Sequence, residues 1–464
     1  MPWLKRFHFT SLSKAYYLGM AKDSLPDTSD IRSVRFVYGD PSGVIRAKGT
    51  TGSQFAGKIH EGIGLTRAQN AVNLFEDLVH VDGMEPVGEV RIVPDLTTYT
   101  VLPWLDRTAS VICDLRQIDG SEWGGCTRTV LKRAIASAAE AGIEVFAAFE
   151  NEFYIAEGTR ENPIPFGNAA CYSTAGLDRN SAMMNDMIDN LESQGYIVEQ
   201  AINEYGPGQL EIVIKYDQAL NAADNQMKFR DTIRGTAEVQ HGLMASFSPK
   251  PYADGVGSGT HLHFSLWSGK NNLLFNKDKP GEISELGGHF IAGLLEHLPA
   301  LVALTCPSYV SYERLAPHAW AGSTIAWGYD NRECTVRVAS SFKGREEQSI
   351  NIELKASDSS ANPHLALAGV IAAGLDGIAR KLTPPAPARH DPVLLSEADK
   401  IASNVRPLPS SQAEALDNLE RDTVLMDALG DLMGRCVLAT RRAENAKASQ
   451  NGIEWARAAT FTVY

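Results

Sequence analysis

Hydrophobic and polar residues alternate along the first part of the chain in the way that is typical of β-strands. Val34, Phe36 and Tyr38 occupy alternate positions, and a turn rich in glycine and proline follows at residues 39–43. A period of two places one face of a strand in the core, while Gly and Pro supply the backbone angles of a tight turn. Further strands are predicted at residues 44–48, 90–93 and 109–115. Residues 1–120 are therefore predicted to form a small, mainly β domain.

Beyond residue 120 the pattern predicts a mixture of helices and strands. A helix is expected at residues 127–141, with Thr127 as its N-cap and Gly142 ending it. A strand should follow at residues 143–155. Later helices are predicted at residues 283–304, 361–382 and, with interruptions, 413–446. Residues 121–464 are therefore expected to form a second, larger domain.

Charge and composition argue against two classes of protein. The 464-residue chain has a net charge of −13, whereas a nucleic-acid-binding protein needs an excess of Lys and Arg. No run of about 18 apolar residues is present, so no membrane span is predicted. The six cysteines include no CxxC pair, and we expect reduced, mostly buried thiols and a cytoplasmic location.

Two pairs of glutamates form the first two candidate sites. Glu150 and Glu152 lie two residues apart in a predicted strand and so share one face, and apolar flanks favour burial and a neutralising cation. Glu204 and Glu211 flank a Gly-Pro-Gly turn that can bring them together. Such an oxygen-rich site suits Mg²⁺ or Mn²⁺. Taken singly, the two pairs are also compatible with a solvated strand face and a polar hairpin.

A glycine-rich loop at residues 255–259 leads into a strand that bears His261, His263 and Ser265 on one face. Glycines allow backbone N–H groups to approach phosphate closely, and histidine can ligate a metal or carry a proton. The alternative is a flexible turn before a strand whose histidines have ordinary structural partners.

Three arginines and one further acid complete the candidate chemistry. Arg314, Arg332 and Arg337 could each hold a carboxylate or phosphate through two hydrogen bonds, although a single arginine is more often structural. Glu353 stands in the sequence Ile-Glu-Leu-Lys and, taken alone, would be an ordinary exposed acid.

The order of these motifs resembles that of the glutamine synthetase superfamily, and in particular its branch of γ-glutamylamide and γ-glutamylpolyamine synthetases. The resemblance extends over roughly residues 34–382 and rests on six segments in order: ENE, NEYGPGQLE, KPYADGVGSGTHLHFS, SYERLAP, NRECTVR and IELK followed by ANP. It implies an α+β fold, with a small N-terminal β-grasp domain and a large catalytic domain whose antiparallel sheet is flanked by helices.

The resemblance also implies a role for each candidate residue. Two or three ions of Mg²⁺ or Mn²⁺ are implied, one held by Glu152, Glu204 and Glu211 and another by Glu150, His261 and Glu353. Contacts to ATP are implied for Glu199, Ser265, Tyr216, His263, Arg332 and Arg337. Contacts to L-glutamate are implied for Arg314, the backbone of Gly257 and Lys355, although Lys355 and Val256 replace an arginine and an asparagine of glutamine synthetases.

An ATP-dependent, two-step ligase reaction is the implied activity. The γ-carboxylate of glutamate attacks the γ-phosphorus of ATP, and an amine then displaces phosphate from γ-glutamyl phosphate. The implied assembly is a homo-oligomer, a dodecamer of two hexameric rings, with each active site between the small domain of one subunit and the large domain of its neighbour.

Two departures from glutamine synthetases concern the amine. Those enzymes hold ammonium with two acids, and the corresponding positions here are Thr66 and Trp320. An indole offers an apolar and π surface instead of a charge. We therefore expect an organic amine as acceptor, either a polyamine, an alkylamine or an aniline. Aromatic or apolar amines are favoured, unless an acid elsewhere in the site compensates for the two that are missing.

Two other interpretations stay open on sequence grounds. One is a glutamine synthetase that binds ammonium through other residues. The other is an inactive relative that serves as a binding or structural assembly, although all six implied metal-ligand positions hold competent ligands.

Overall fold

Two separate β-sheets organise the protein, whose structure is a computed structural model that describes residues 25–464. The smaller sheet has six strands in the order β2-β1-β6-β4-β3, with β5 paired to β6, and its β1 and β6 run parallel. Its strands are β1 (Ser33–Gly39), β2 (Ile45–Thr51), β3 (Ile63–Thr66), β4 (Glu89–Pro94), β5 (Thr100–Val101) and β6 (Thr108–Arg116).

The larger sheet has eleven strands and carries the candidate site. Its main path is β16-β17-β18-β13-β7-β10-β9, and all its pairings are antiparallel except β16 with β17. Strands β8, β11 and β12 pair with β7, β14 pairs with β13, and β15 and β19 form a separate ribbon. The bounds are β7 (Glu144–Thr159), β8 (Asn162–Pro165), β9 (Val198–Asn203), β10 (Gln209–Ile214), β11 (Asp217–Gln218), β12 (Met244–Ser246), β13 (Thr260–Ser268), β14 (Asn271–Asn272), β15 (Thr324–Ile325), β16 (Trp327–Tyr329), β17 (Val336–Val338), β18 (Ile352–Leu354) and β19 (Arg406–Pro407).

Helices cover the larger sheet and complete the α+β fold, which confirms the predicted fold class. They are α1 (Gly52–Lys58), α2 (Thr127–Glu140), α3 (Thr174–Ser193), α4 (Ala219–Gly235), α5 (Glu285–Thr305), α6 (Ser311–Arg314), α7 (Glu346–Ser349), α8 (Pro363–Arg380), α9 (Glu397–Ala402), α10 (Gln412–Arg421), α11 (Thr423–Leu429), α12 (Asp431–Asn451) and α13 (Ile453–Thr460).

Two long core helices, α5 and α8, pack directly against each other. A methyl group on Gly293 would lie 2.2 Å from a backbone oxygen of α8, so this close approach requires glycine. By length and composition α5 could cross a membrane, but 78% of its apolar window is buried inside the protein. Its apolar residues belong to the main core, together with side chains of α2, α8, β7 and β13.

A buried ionic network joins the two sheets. Arg128 of α2 donates hydrogen bonds to Asp95 and Asp114 of the smaller unit and to Asp224 of α4, at 2.8–2.9 Å. Asp224 also bonds the ring of His364 on α8 at 2.9 Å. Because the guanidinium is almost fully buried, the three carboxylates offset the free-energy cost of burying its charge.

The predicted helices form, but their ends differ in detail. Thr127 is not the N-cap of α2: Cys126 is, and the Thr127 hydroxyl donates to the backbone oxygen of Gly39 at 2.9 Å. Side chains of Ser284 and Asn362 cap α5 and α8, so both helices begin slightly later than their apolar patterns do. All six cysteines are free thiols, and five of them are buried, as expected.

Candidate active site

The register of the larger sheet brings residues from distant segments to one face. On β7, Glu150 lies opposite His261 of β13 and Glu152 lies opposite Glu211 of β10. Directly opposed residues on antiparallel strands have Cβ atoms about 5 Å apart. On the far side of β13, His263 is paired with Glu353 of β18. The strand alternation predicted for these residues therefore gives a continuous row of ligand side chains.

Glu150, His261 and Glu353 form a compact group whose ligand atoms all lie within 4.8 Å of one another. Nδ1 of His261 is 3.6 Å from a Glu150 oxygen and 3.4 Å from a Glu353 oxygen. Glu353 is fully buried, and Arg337 and Lys355 contact its carboxylate at 2.7 Å and 3.1 Å. Although burial opposes ionisation, neighbours led by His263 and Lys355 lower the pKa of Glu353 to about 2.

His263 lies between the same two carboxylates. Its Nε2 is 3.2 Å from a Glu150 oxygen and 3.7 Å from a Glu353 oxygen, and its Nδ1 is 2.8 Å from Oδ1 of Asn351. Burial disfavours the charged ring, but Glu150 and then Glu353 outweigh it and raise the pKa of His263 to about 9. In return His263 and His261 overcome the effect of burial and hold the pKa of Glu150 well below its ordinary value.

Glu152, Glu204 and Glu211 face one another on the other side of Glu150 without any cation among them. Burial, followed by repulsion from the neighbouring carboxylates, raises the pKa of Glu211 to about 9 and that of Glu204 to about 7. Their ligand atoms do not converge within 4.8 Å, unlike those of the first group. Glu152 is fixed by the backbone N–H of Gly259 at 2.7 Å. Three clustered carboxylates of this kind fit a divalent cation, which would remove their mutual repulsion.

Arg314 and Gly257 are in direct contact. The guanidinium of Arg314 donates to the backbone oxygens of Lys355 and Ser357 at 3.1 Å and 2.6 Å, while its Nε has no protein partner within residues 25–464. A methyl group on Gly257 would lie 2.4 Å from Cγ of Arg314. Any larger residue at this position would displace the arginine.

The residues assigned to ATP are spread more widely. Ser265 accepts a hydrogen bond from Nε1 of Trp267 at 2.8 Å, and Tyr216 packs edge-on against Phe146 with nearly half of its surface exposed. Glu199 is exposed on β9, two strands away from β7. Arg332 is also exposed. The structure therefore brings the aromatic residues together, but Glu199 and Arg332 do not belong to the group formed by Glu150, His261 and Glu353.

The two positions that depart from glutamine synthetases lie on different units of the chain. Trp320 follows Arg314 in a surface segment, where its indole is 54% exposed and its φ is 51°. Thr66 ends β3 of the smaller sheet, and its buried hydroxyl has no hydrogen-bond partner in the described part of the chain. Within residues 25–464 of one subunit, no hydrogen bond or ion pair joins these two side chains.

Three neighbours of the site were not identified from the sequence. The Tyr172 hydroxyl hydrogen-bonds the Glu204 carboxylate. Asp391 lies 3.2 Å from Nδ1 of His318, two residues before Trp320, and Glu333 completes a second group of ligand atoms within 4.8 Å. Glu333 adjoins Arg332 in a segment already singled out, which was the one available indication of its position.

Comparison with known proteins supports the resemblance over the whole described fold. The glutamine synthetase N-terminal domain matches residues 20–123, and the glutamine synthetase catalytic domain matches residues 124–459. A γ-glutamylpolyamine synthetase of Streptomyces coelicolor is 35% identical over 89% of this chain and 90% of its own length. A glutamine synthetase of Thermus thermophilus is 37% identical over 74% of this chain and 78% of its own.

Solved structures agree with this assignment. A crystal structure of a glutamine synthase homologue superimposes with a TM-score of 0.81 at 28% identity, covering 94% of this chain and 98% of that one. A GmaS–ADP complex gives the same TM-score and identity, with coverages of 92% and 96%. Proteins of this type use ATP, glutamate, divalent metal and an amine or ammonia. The chain belongs to the glutamine synthetase family and is a ligase that forms carbon–nitrogen bonds.

Proposed function

We propose that the protein joins the γ-carboxylate of L-glutamate to an organic amine, with ATP as the energy source and γ-glutamyl phosphate as the intermediate. The observation that carries this proposal is an exposed tryptophan three residues after Pro317: Trp320 occupies the position of an acid that binds ammonium in glutamine synthetases. The indole gives an organic substituent a surface on which to pack.

Divalent cations, two or three ions of Mg²⁺ or Mn²⁺, would be held by the two groups of ligands. Glu150, His261 and Glu353 would hold one ion, because their ligand atoms already converge. A second would be held by the carboxylates of Glu152, Glu204 and Glu211, where repulsion outweighs the attraction of Lys355 and the pKa values of Glu204 and Glu211 are raised. Such ions, when bound, neutralise the charge of a transferring phosphoryl group.

The protein's own cations would orient the reacting groups. Arg314, Lys355 and the backbone of Gly257 would bind glutamate, while His263, Arg332 and Arg337 would contact the phosphates. Lys355 and Arg337 both contact Glu353. The residue assigned to glutamate and the residue assigned to the phosphates are therefore connected through one carboxylate. Glu199, Ser265 and Tyr216 would bind the nucleoside. Holding two substrates in one geometry is the main contribution a protein makes to phosphoryl transfer.

A cytoplasmic dodecamer of two hexameric rings is the proposed assembly, with Thr66 of one subunit facing the acceptor site of its neighbour. One observation supports this arrangement. Trp320 is exposed within one chain, so its indole has a contact left to make. The named relative from Streptomyces and the GmaS structure support the amide-forming branch.

A glutamine synthetase that uses ammonium is the second candidate, and one observation favours it. Curated glutamine synthetases from several organisms match the chain at 33–37% identity, as well as the polyamine-specific relative does. An inactive assembly has less support, because Glu150, His261 and Glu353 retain a converged ligand geometry.

A steady-state assay of ADP release separates these candidates. The purified protein would be given ATP, Mg²⁺, glutamate and, in separate reactions, ammonium, a short alkylamine, a polyamine or an aniline. We expect the highest kcat/KM with one of the organic amines. A higher kcat/KM with ammonium would favour a glutamine synthetase, and no release with any nucleophile would favour the inactive assembly.

A further inference from the structure

An acidic pair lies against the segment that bears Trp320. Asp391 is 3.2 Å from the His318 ring. Ligand atoms of Asp391, His318 and Glu333 all lie within 4.8 Å of one another. The two acids therefore meet at His318, two residues before the tryptophan that replaces the ammonium-binding acid of glutamine synthetases.

No lysine or arginine neutralises this pair. Within residues 25–464, neither Glu333 nor Asp391 has a Lys or Arg nitrogen within 4.0 Å. Burial and then the charge of Asp391 raise the pKa of Glu333, as expected for two acids that share a half-buried position. Among the described residues the only ion-pair partner of the two acids is therefore the exposed ring of His318, while Lys355 acts on Glu333 from beyond contact distance.

Glu333 is also affected by a cation of the candidate active site. The charge of Lys355 reaches it, and Lys355 itself contacts Glu353 at 3.1 Å. Lys355 is the residue assigned to the γ-carboxylate of glutamate, and Trp320 is the residue assigned to the acceptor. Glu333 therefore lies in the same ligand-atom group as His318, two residues before Trp320, and is near enough to Lys355 to be affected by its charge.

The segment is held in this place by the same acids. His318 and Trp320 have φ values of 61° and 51°, a left-handed conformation that is costly for residues other than glycine. Such conformations persist where surrounding contacts hold them. The contacts of His318 with Glu333 and Asp391 are the ones available to do so.

We propose that Glu333, supported by Asp391, binds the ammonium group of the acceptor amine and takes over the recognition of charge that Thr66 and Trp320 cannot provide. The inference rests on the proposed function and narrows it: the acceptor is an alkylamine or polyamine that arrives as a cation, and not an aniline. Trp320 then contacts the same cation through its ring face or packs on the alkyl chain.

Replacing Glu333 by glutamine tests this assignment. Wild type and Glu333→Gln would be compared with an alkylamine, a polyamine and hydroxylamine, a nucleophile that is uncharged at neutral pH. We expect KM for the cationic amines to rise at least about tenfold more than KM for hydroxylamine, since charged hydrogen bonds carry this much affinity. The values of KM for ATP and glutamate should stay close to those of the wild type.

Two further variants make the comparison decisive. Glu333→Asp keeps the charge and should recover part of the lost affinity, while Glu285→Gln removes an acid that is 92% exposed on α5 and should change nothing. Thermal midpoints of all variants separate loss of fold from loss of recognition. A structural role of Glu333 would lower the midpoint and affect every nucleophile equally.

The outcomes keep the inference and the proposed function apart. If the wild type uses no organic amine, the proposed function fails before Glu333 is tested. If the wild type uses organic amines and Glu333→Gln changes the KM for cationic amines and for hydroxylamine alike, only the inference is overturned. It is also overturned if anilines are the preferred acceptors, or if the variant changes the Mg²⁺ or Mn²⁺ requirement instead of the KM for the amine.

Discussion

Replacing Glu211 by glutamine should make the metal-free protein more stable while it removes activity. The carboxyl of Glu211 is buried among three other glutamates, and burial and their charges raise its pKa from 4.5 to about 9. At pH 7 this group is protonated in the folded state and ionised in the unfolded state. Folding in the absence of metal must therefore take up a proton against its ordinary tendency.

The magnitude follows from the difference between the two states. Each pH unit between 4.5 and 7 costs about 1.4 kcal/mol, so the penalty at pH 7 is roughly 3 kcal/mol. It is absent below the unfolded pKa of 4.5 and grows until the folded pKa near 9, because the folded state binds more protons throughout that range. The amide of glutamine also needs hydrogen-bond partners, so roughly 3 kcal/mol is the upper limit of the gain.

Thermal unfolding followed by circular dichroism, in EDTA and in Mg²⁺, measures this effect. In EDTA the Glu211→Gln variant should unfold at a higher temperature than the wild type, and the gap should widen from pH 5 to pH 8. In Mg²⁺ the wild type should gain stability, by about 2.7 kcal/mol at a hundredfold excess over the dissociation constant, whereas the variant should gain less.

A matched control is Glu157→Gln, which removes an exposed acid from the same strand and should leave both midpoints unchanged. A Glu211→Gln variant that is less stable than the wild type in EDTA would refute the reasoning. It would mean that the carboxylate of Glu211 has a stabilising partner in the metal-free protein.

Three other predictions follow from single contacts. Trp320→Glu should raise kcat/KM for ammonium relative to organic amines by about tenfold or more, as measured by ADP release; an unchanged preference contradicts the role of the indole, and Trp320→Gln is the uncharged control. Burial disfavours the charged ring of His297, but Asp422 and Asp376 raise its pKa, so its stabilisation is fully present below the unfolded pKa of about 6.5 and is lost as the pH rises through the folded value. Urea midpoints should therefore show that His297→Asn costs more at pH 6 than at pH 9, and an equal cost would contradict the ion pairs. Arg128→Met should lose about 3–5 kcal/mol in the same measurement, because it removes the buried guanidinium that pairs with three carboxylates, and a midpoint equal to that of the wild type would contradict the network.

The period of two in the sequence was enough to predict which side chains share a face. Glu150 and Glu152 on β7, and His261, His263 and Ser265 on β13, follow from strand alternation alone. What alternation does not give is the register between strands separated by more than 100 residues. The pairing of His261 with Glu150 depends on tertiary packing, and only the family resemblance indicated it beforehand.

Other features of the site depend on loops and on long-range contacts. Glu333 and Asp391 come from segments 58 residues apart, and nothing in their local sequences indicates that both meet His318. Thr127 is of a residue type that often caps helices, but its hydroxyl makes a hydrogen bond to the smaller sheet instead. In both cases the partner is distant in sequence, so local propensity carries no information about it.

The most direct test of the account is a competition between nucleophiles. The protein would be incubated with ATP, Mg²⁺, glutamate and equal concentrations of ammonium and an alkylamine or polyamine, and the products would be identified by mass spectrometry. The account predicts that the γ-glutamylamide of the organic amine exceeds glutamine and that its formation requires ATP. Glutamine as the main product would contradict it.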